Sequence, residues 1–160
     1  MTLEYCQLEE IFIWLFRKIK CMKTNLEDFK INVRIKLSAL WTAVMFCYIY
    51  GDYFELYVPK KVEGLLTGQN LLDSPLKLFT VTFVLAVPAL MIFLSLMLNP
   101  KLTKWLNIGV GLFFTLFTLL VGISSLSEWR TFLVFLSFLE SIITTIIICQ
   151  AWNWTTLKTE

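Results

Sequence analysis

Apolar residues in this chain form long uninterrupted runs. Uncharged segments cover 15 residues at 37–51, 21 residues at 78–98 and 23 residues at 105–127, and a fourth follows Arg130 with Glu140 as its single charged residue. A helix rising 1.5 Å per residue needs about 20 residues to cross the roughly 30 Å hydrocarbon core of a bilayer. The pattern therefore predicts four membrane-spanning helices, near residues 36–58, 76–98, 104–126 and 130–152.

The fold class that these runs predict is an all-α membrane protein, a bundle of four transmembrane helices. Strands of a membrane β-barrel alternate apolar and polar residues and need about 9–11 residues each, so continuous runs of twice that length exclude a barrel. Residues 25–157 are expected to form the transmembrane domain. Within residues 1–24, six apolar residues at 11–16 are too few to cross, and acids precede them while bases follow, the reverse of a secretory signal. We expect a short interfacial helix there, or an extension upstream of a start at Met22.

Composition agrees with a lipid environment and narrows the chemistry. Charged residues make up 16% of the chain, against about 25% in soluble domains. A net charge of +2 is too small to indicate a nucleic-acid-binding protein. The absence of histidine removes the commonest metal ligand and general base, and the four cysteines show no C-x-x-C spacing. We therefore expect free thiols, no cofactor, no metal site and no nucleic-acid partner, with membrane lipid as the surrounding partner.

Basic residues predict the orientation, because Lys and Arg are enriched in cytoplasmic segments. With the amino end inside, ten of the 14 basic residues fall in the inner segments. The outer segments then hold four, which are Lys60, Lys61, Lys77 and Arg130. This distribution predicts a multi-pass protein of the plasma membrane with both termini in the cytoplasm.

Small residues line one face of the third span. Gly111, Thr115, Thr118 and Gly122 follow at steps of 4, 3 and 4, and in lipid such residues let helices approach closely. We predict that this seam is a helix-packing face; a permeation groove is the alternative interpretation.

Acidic residues within the spans are the candidates for function, since a charge at the bilayer centre costs about 2.5–3.5 kcal/mol even on insertion scales. Glu140 lies ten residues after Arg130, roughly 15 Å deep by helical rise. Ser137, Ser141 and Thr144 share its side of the helix, so this polar stripe is expected to face the bundle interior. Glu140 is then either a neutral acid hydrogen-bonded across a helix interface or a proton-coupled or cation-binding acid.

A second acidic pair lies in the outer part of the first span. Asp52 and Glu55 are three residues apart and thus share a face, and Tyr48 continues that face inward. Arg130 begins the fourth span on the same side of the membrane. We predict an Asp52–Arg130 ion pair that clamps the first span to the fourth and offsets part of the cost of burial.

Several segments together carry a resemblance to a known family. They are "EDFKINVRIKLSALW", "YIYGDYF" followed by "VPKKVEGL", "PALMIFLSLMLNPK" and "SEWR". From about Leu26 to Trp154 the chain resembles an uncharacterised family of small bacterial four-span membrane proteins. The resemblance implies an integral protein of the plasma membrane and brings no known substrate. A looser similarity to small DoxX-like proteins rests on architecture alone.

Three functions remain open from the sequence. The first is a non-catalytic membrane protein that binds a partner or lipid. The second is a small proton-coupled transporter that uses Glu140 or Asp52 for an unknown small-molecule substrate, with a second copy of the chain completing the cavity. The third and weakest is a lipid- or quinone-linked membrane enzyme, since no activated nucleophile is evident. Its acid and base groups would be Asp52, Glu55, Tyr48, Tyr50 and Tyr53.

Overall fold

The computed structural model describes residues 30–68 and 72–155. Within these ranges the chain forms five α-helices and one 3-10 turn, with no strand. They are α1 (Val33–Glu55), α2 (Lys61–Leu66), α3 (Pro75–Met97), α4 (Pro100–Ser124), the turn Glu128–Arg130 and α5 (Thr131–Trp152). The short interfacial helix that the sequence suggested within residues 1–24 lies outside the described residues.

Capping residues fix the helix starts, and two helices begin earlier than the uncharged runs indicated. The α1 helix starts at Val33 rather than 36, because the Asn32 side chain accepts a hydrogen bond from the Arg34 backbone N–H at 3.0 Å. The α4 helix starts at Pro100 rather than 104, with proline in the first turn, where its missing N–H costs nothing. Basic residues in a first turn can extend toward water, so an uncharged run underestimates the length of a helix.

The four long helices pack in the order α3, α1, α5, α4. The α1 helix packs against α3 and α5, and α5 packs extensively against α4, whereas α3 and α4 make few contacts with each other. The bundle has two ends. The Arg34 end holds Val33, Met97, Pro100 and Trp152, and the Glu55 end holds Glu55, Pro75, Ser124 and Thr131.

The buried core of the bundle is small, and most large apolar side chains point outward. Trp41 of α1 and Phe114 of α4 meet edge to face in the core, with ring centroids 6.1 Å apart. Phe83, Leu120 and Phe135 are 66%, 67% and 65% exposed. Among the described residues, four helices are long and apolar enough to cross a membrane. This outward apolar surface suits lipid rather than water, and the predicted all-α bundle of four transmembrane helices is confirmed.

A buried polar network joins three helices near the Arg34 end. The Trp41 Nε1–H donates to Asn107 Oδ1 at 2.7 Å. The Asn107 amide also donates to Ser95 Oγ at 3.3 Å and to the Thr103 carbonyl at 2.8 Å. Because lipid offers no water to satisfy these groups, the network fixes α1, α3 and α4 relative to one another.

Two basic side chains bind carbonyl groups at helix C-termini at the same end. Arg34 Nη1 donates to the Leu96 carbonyl of α3 at 3.2 Å. Lys104 Nζ donates to the carbonyls of Trp152 and Trp154 after α5, at 2.9 and 3.0 Å. Cations are favourable at helix C-termini, where carbonyl groups lack partners and the helix dipole is negative.

Candidate functional site

The small-residue face of α4 packs against the polar stripe of α5. Thr115 Oγ1 donates to Thr144 Oγ1 at 2.8 Å, and the hydroxyl groups of Thr118 and Ser141 share a hydrogen bond of 2.9 Å. Each of these hydroxyl groups therefore finds a partner inside the bundle, as polar groups in lipid must.

The two glycines of the seam lie where the helices approach most closely. A Cβ atom at Gly111 would lie 2.9 Å from Ile148 Cγ1, and one at Gly122 would lie 3.1 Å from Ser137 Cβ. The structure therefore places Gly111, Gly122 and the two threonines between them in a helix-packing interface.

Glu55, rather than Asp52, holds the ion pair with Arg130. Glu55 Oε1 accepts hydrogen bonds from Arg130 Nη2 at 3.0 Å and from Lys61 Nζ at 2.9 Å. The predicted Asp52–Arg130 pair is therefore wrong. Glu55 ends α1 level with Arg130, which immediately precedes α5, whereas Asp52 lies about one helical turn further from that end. After α1, Lys60 adopts φ 65°, and the chain turns so that Lys61 binds the same carboxyl group.

A cavity of about 200 Å³ lies between α1, α3, α4 and α5. We call it the acidic cavity. Its polar lining residues are Tyr48 and Asp52 from α1, Thr118 from α4, and Ser137 and Glu140 from α5. The cavity forms where α3 and α4 have few mutual contacts.

Glu140 is the most deeply buried acid of the acidic cavity. Its side chain is 5% exposed, and among the described residues no hydrogen bond to its carboxyl group is found. The buried Tyr48 Oη also lacks a partner among those residues. Asp52, by contrast, is exposed and lies nearer the Glu55 end. The acidic cavity therefore has two buried groups without a hydrogen-bond partner, the Glu140 carboxyl group and Tyr48 Oη, and an exposed carboxyl group at Asp52.

The titratable groups that line the acidic cavity are all acidic. Among the residues that the structure describes, no lysine or arginine lines it. Lys61 and Arg130 lie outside the lining and both bind Glu55, and Lys61 also acts electrostatically on Asp52. Its remaining surface is apolar, from residues such as Leu85, Phe117 and Leu133.

The structure thus divides the predicted polar site in two. Tyr48, Asp52 and Glu140 share the acidic cavity, whereas Glu55 and Arg130 form a separate ion pair. The sequence analysis did not identify Cys47, Leu85 or Phe117 as lining residues, because no polar pattern marks them. Asn107 and Trp41 could have predicted the buried network, because each carries a hydrogen-bonding group within an apolar span. A polar side chain in a span needs a partner.

The remaining tyrosines lie on the surface of the Glu55 end. The hydroxyl groups of Tyr53 and Tyr57 are 2.7 Å apart, and their hydrogen bond raises the pKa of the Tyr57 hydroxyl above its ordinary value. Tyr50 stacks on Phe54 with ring centroids 6.4 Å apart. Amphipathic rings of this kind concentrate at the membrane–water interface, and none of Tyr50, Tyr53 and Tyr57 lines the acidic cavity within the described part of the chain.

Four apolar helices around a small acidic cavity define a multi-pass membrane protein of modest size. The profile of DUF6326, a family of unknown function, matches residues 24–159, and the chain belongs to this family. Comparisons with curated proteins and with solved structures found no match. The looser similarity to DoxX-like proteins therefore stays a prediction.

Proposed function

We propose that this protein is a non-catalytic membrane binding protein and that the acidic cavity is its ligand site. The observation that carries the proposal is Glu140, which is 5% exposed, lines the cavity and has no hydrogen-bond partner among the described residues. An ionisable side chain inside a membrane is costly, and such residues commonly mark sites of function. A ligand that donates hydrogen bonds to Glu140 would satisfy its carboxyl group.

The size and lining of the acidic cavity indicate the kind of ligand. Sites for drug-sized molecules measure about 300–1,000 Å³, and this cavity measures about 200 Å³. Glu140 and Tyr48 are among its hydrogen-bonding groups, and apolar side chains such as Leu85 and Phe117 also line it. These features favour a small amphiphile with a hydrogen-bond-donating head.

The lining residues favour binding over catalysis. A serine or cysteine nucleophile requires a neighbouring base or cation for activation. In the part of the chain that the structure describes, no lysine or histidine lines the acidic cavity beside Cys47 or Ser137, and the bases present are the carboxyl groups of Asp52 and Glu140. Their negative charge opposes the formation of a thiolate or an alkoxide.

Fluorine NMR of 3-fluorotyrosine-labelled protein in nanodiscs tests the proposed site. The chain has five tyrosines, and Tyr48→Phe identifies the resonance of the cavity tyrosine. We expect hexanol or hexylammonium to shift the Tyr48 resonance saturably while the resonance of the exposed Tyr50, which lies outside the acidic cavity, stays unchanged. An absence of saturable change at Tyr48 with both probes, or equal changes at Tyr50, would overturn the proposal.

Proton-coupled transport is the second candidate function. It is favoured by the two acids of the acidic cavity, since Asp52 is exposed and Glu140 is buried within the same space. Such an arrangement gives a proton two successive acceptors. Purified protein in liposomes with an imposed pH gradient should then show proton flux that Glu140→Gln abolishes. Flux equal to that of empty liposomes would exclude this function.

A further inference from the structure

We propose that the ligand of the acidic cavity is a primary organic ammonium ion with a short apolar chain. This inference rests on the proposed function and specifies the charge, the donor groups and the size of the ligand.

The charge of the ligand follows from the groups around Glu140. From α1 the titratable groups that line the cavity are Asp52, Tyr48 and Cys47, all neutral or anionic. From the other helices packed around it come Leu85 of α3, uncharged residues of α4 such as Thr118, and uncharged neighbours on α5 such as Ser137. No lysine or arginine lines this space, and Lys61, which acts electrostatically on Asp52, lies outside the lining. Glu140 is therefore the carboxyl group that a positive ligand would balance.

The donor groups of the ligand follow from the unpaired acceptors. Glu140 and Tyr48 Oη have no hydrogen-bond partner among the described residues. A primary ammonium group carries three N–H donors, so it can donate to Glu140 and keep further donors for Tyr48 Oη or the hydroxyl groups of the lining. A quaternary ammonium group carries none, and a hydroxyl group carries one. The number of donors therefore favours a primary amine over these two alternatives.

The body of the ligand follows from the apolar walls. Apolar side chains, namely Leu85 of α3, Phe117 and Val121 of α4 and Leu133 of α5, supply much of the remaining lining. A volume of about 200 Å³ leaves room for a short chain rather than a lipid acyl chain. Hexylammonium, hexanol and hexyltrimethylammonium share such a chain and differ in the head group.

The test compares these three probes in nanodiscs of zwitterionic phosphatidylcholine, which do not concentrate cations electrostatically. Saturation of the Tyr48 fluorine shift should require about tenfold less hexylammonium than hexanol, because a charge-assisted hydrogen bond is markedly stronger than a neutral one. Hexyltrimethylammonium should bind more weakly than hexylammonium. Equal or tighter binding of hexanol would overturn the ammonium proposal while leaving the binding site in place. No binding by any probe would instead overturn the proposed function.

Three variants test whether the preference for hexylammonium over hexanol depends on Glu140. In Glu140→Gln, the concentrations of hexylammonium and hexanol that saturate the Tyr48 fluorine shift should lie within about twofold of each other. Glu128→Gln, a matched change on the exposed 3-10 turn outside the acidic cavity, should keep the wild-type preference. Glu140→Asp retains a carboxyl group and should also keep it. If Glu140→Gln still prefers hexylammonium, the assignment to Glu140 is contradicted. If Glu140→Gln does not fold, Glu140→Asp gives the test, and loss of the preference in that variant contradicts the assignment.

Discussion

Asn107 binds Trp41 of α1, Ser95 of α3 and the Thr103 carbonyl of its own helix through a single amide group. We expect Asn107→Leu to lower the free energy of unfolding by about 1–2 kcal/mol, because the Trp41 N–H and the Ser95 hydroxyl lose their partner in a site without water. Equilibrium unfolding in mixed micelles measures the change.

Asn153→Leu is the matched control for this substitution. Asn153 is exposed after the end of α5, so its replacement should change the free energy of unfolding by less than about 0.5 kcal/mol. Equal stability losses in the two variants would show that the buried network does not hold the helices together.

The ion pair of Glu55 gives a second prediction, which a double-mutant cycle tests. Glu55→Gln and Arg130→Met should show a coupling energy of about 0.5–1 kcal/mol, a modest value because the Arg130 side chain is 37% exposed. The cycle of Asp52→Asn with Arg130→Met should show coupling near zero. A larger coupling for Asp52 than for Glu55 would restore the ion pair that the sequence suggested.

The positions of Asp52 and Glu55 could be predicted from the sequence only in part. Spacing correctly predicts that Asp52 and Glu55 share a helix face, and depth correctly marks Glu140 as buried. The choice between Asp52 and Glu55 as the partner of Arg130 depends on the rotation of α1 and on the turn that returns Lys61. Neither property is encoded in the spacing of charges along one helix.

At the scale of the helices, two glycines of α4 allow a comparison, since Gly111 lies in the α4–α5 interface and Gly109 lies on the exposed surface. Gly111→Ala should lower the free energy of unfolding by about 1–3 kcal/mol, since the added Cβ would lie 2.9 Å from Ile148 Cγ1. Gly109→Ala meets open space and should raise stability by about 0.5–1 kcal/mol through better helix propensity. Thermal unfolding measured by circular dichroism separates the two.

The added variant Ile148→Ala removes the side-chain atom that a Cβ at Gly111 would meet. Combined with Gly111→Ala, it should cost less than the sum of the two single changes. Strictly additive losses, or a Gly111→Ala variant as stable as the wild type, would contradict close packing at this position.

Helix positions were more predictable than helix ends. Uncharged runs locate α1, α3, α4 and α5, because the cost of charge in lipid acts along a whole helix. Starts such as Val33 and Pro100 depend on single capping residues, which a hydropathy criterion does not count. A hydropathy criterion likewise does not detect the short helix α2.

For the molecule in its membrane, we propose that both termini lie in the cytoplasm. The distribution of basic residues supports this proposal, since ten of the 14 lie in the segments assigned to the cytoplasm. A green fluorescent protein fused after Glu160 should fluoresce, and alkaline phosphatase fused there should be inactive. The opposite pair of results would reverse the orientation.

The acidic cavity itself could be predicted only in part. Polar residues at Tyr48, Asp52 and Glu140 indicate an interior site, because such groups avoid lipid. Its walls depend on which helix pairs pack closely along their length, and α3 and α4 make few contacts although they are neighbours in sequence. Apolar runs of similar composition do not determine that choice.

Spin-label accessibility along α5 in liposomes tests most directly whether the polar stripe faces inward in a lipid-spanning helix. Single cysteines at 134–147, in a background with the four native cysteines replaced by serine, carry the nitroxide. Collision with dissolved oxygen should be highest at Phe135, Phe138, Ile142 and Ile146, which are exposed. It should be lowest at Ser137, Glu140 and Thr144, which are buried. Maximal oxygen collision at 140, or access of a water-soluble relaxation agent all around the helix, would contradict this structure.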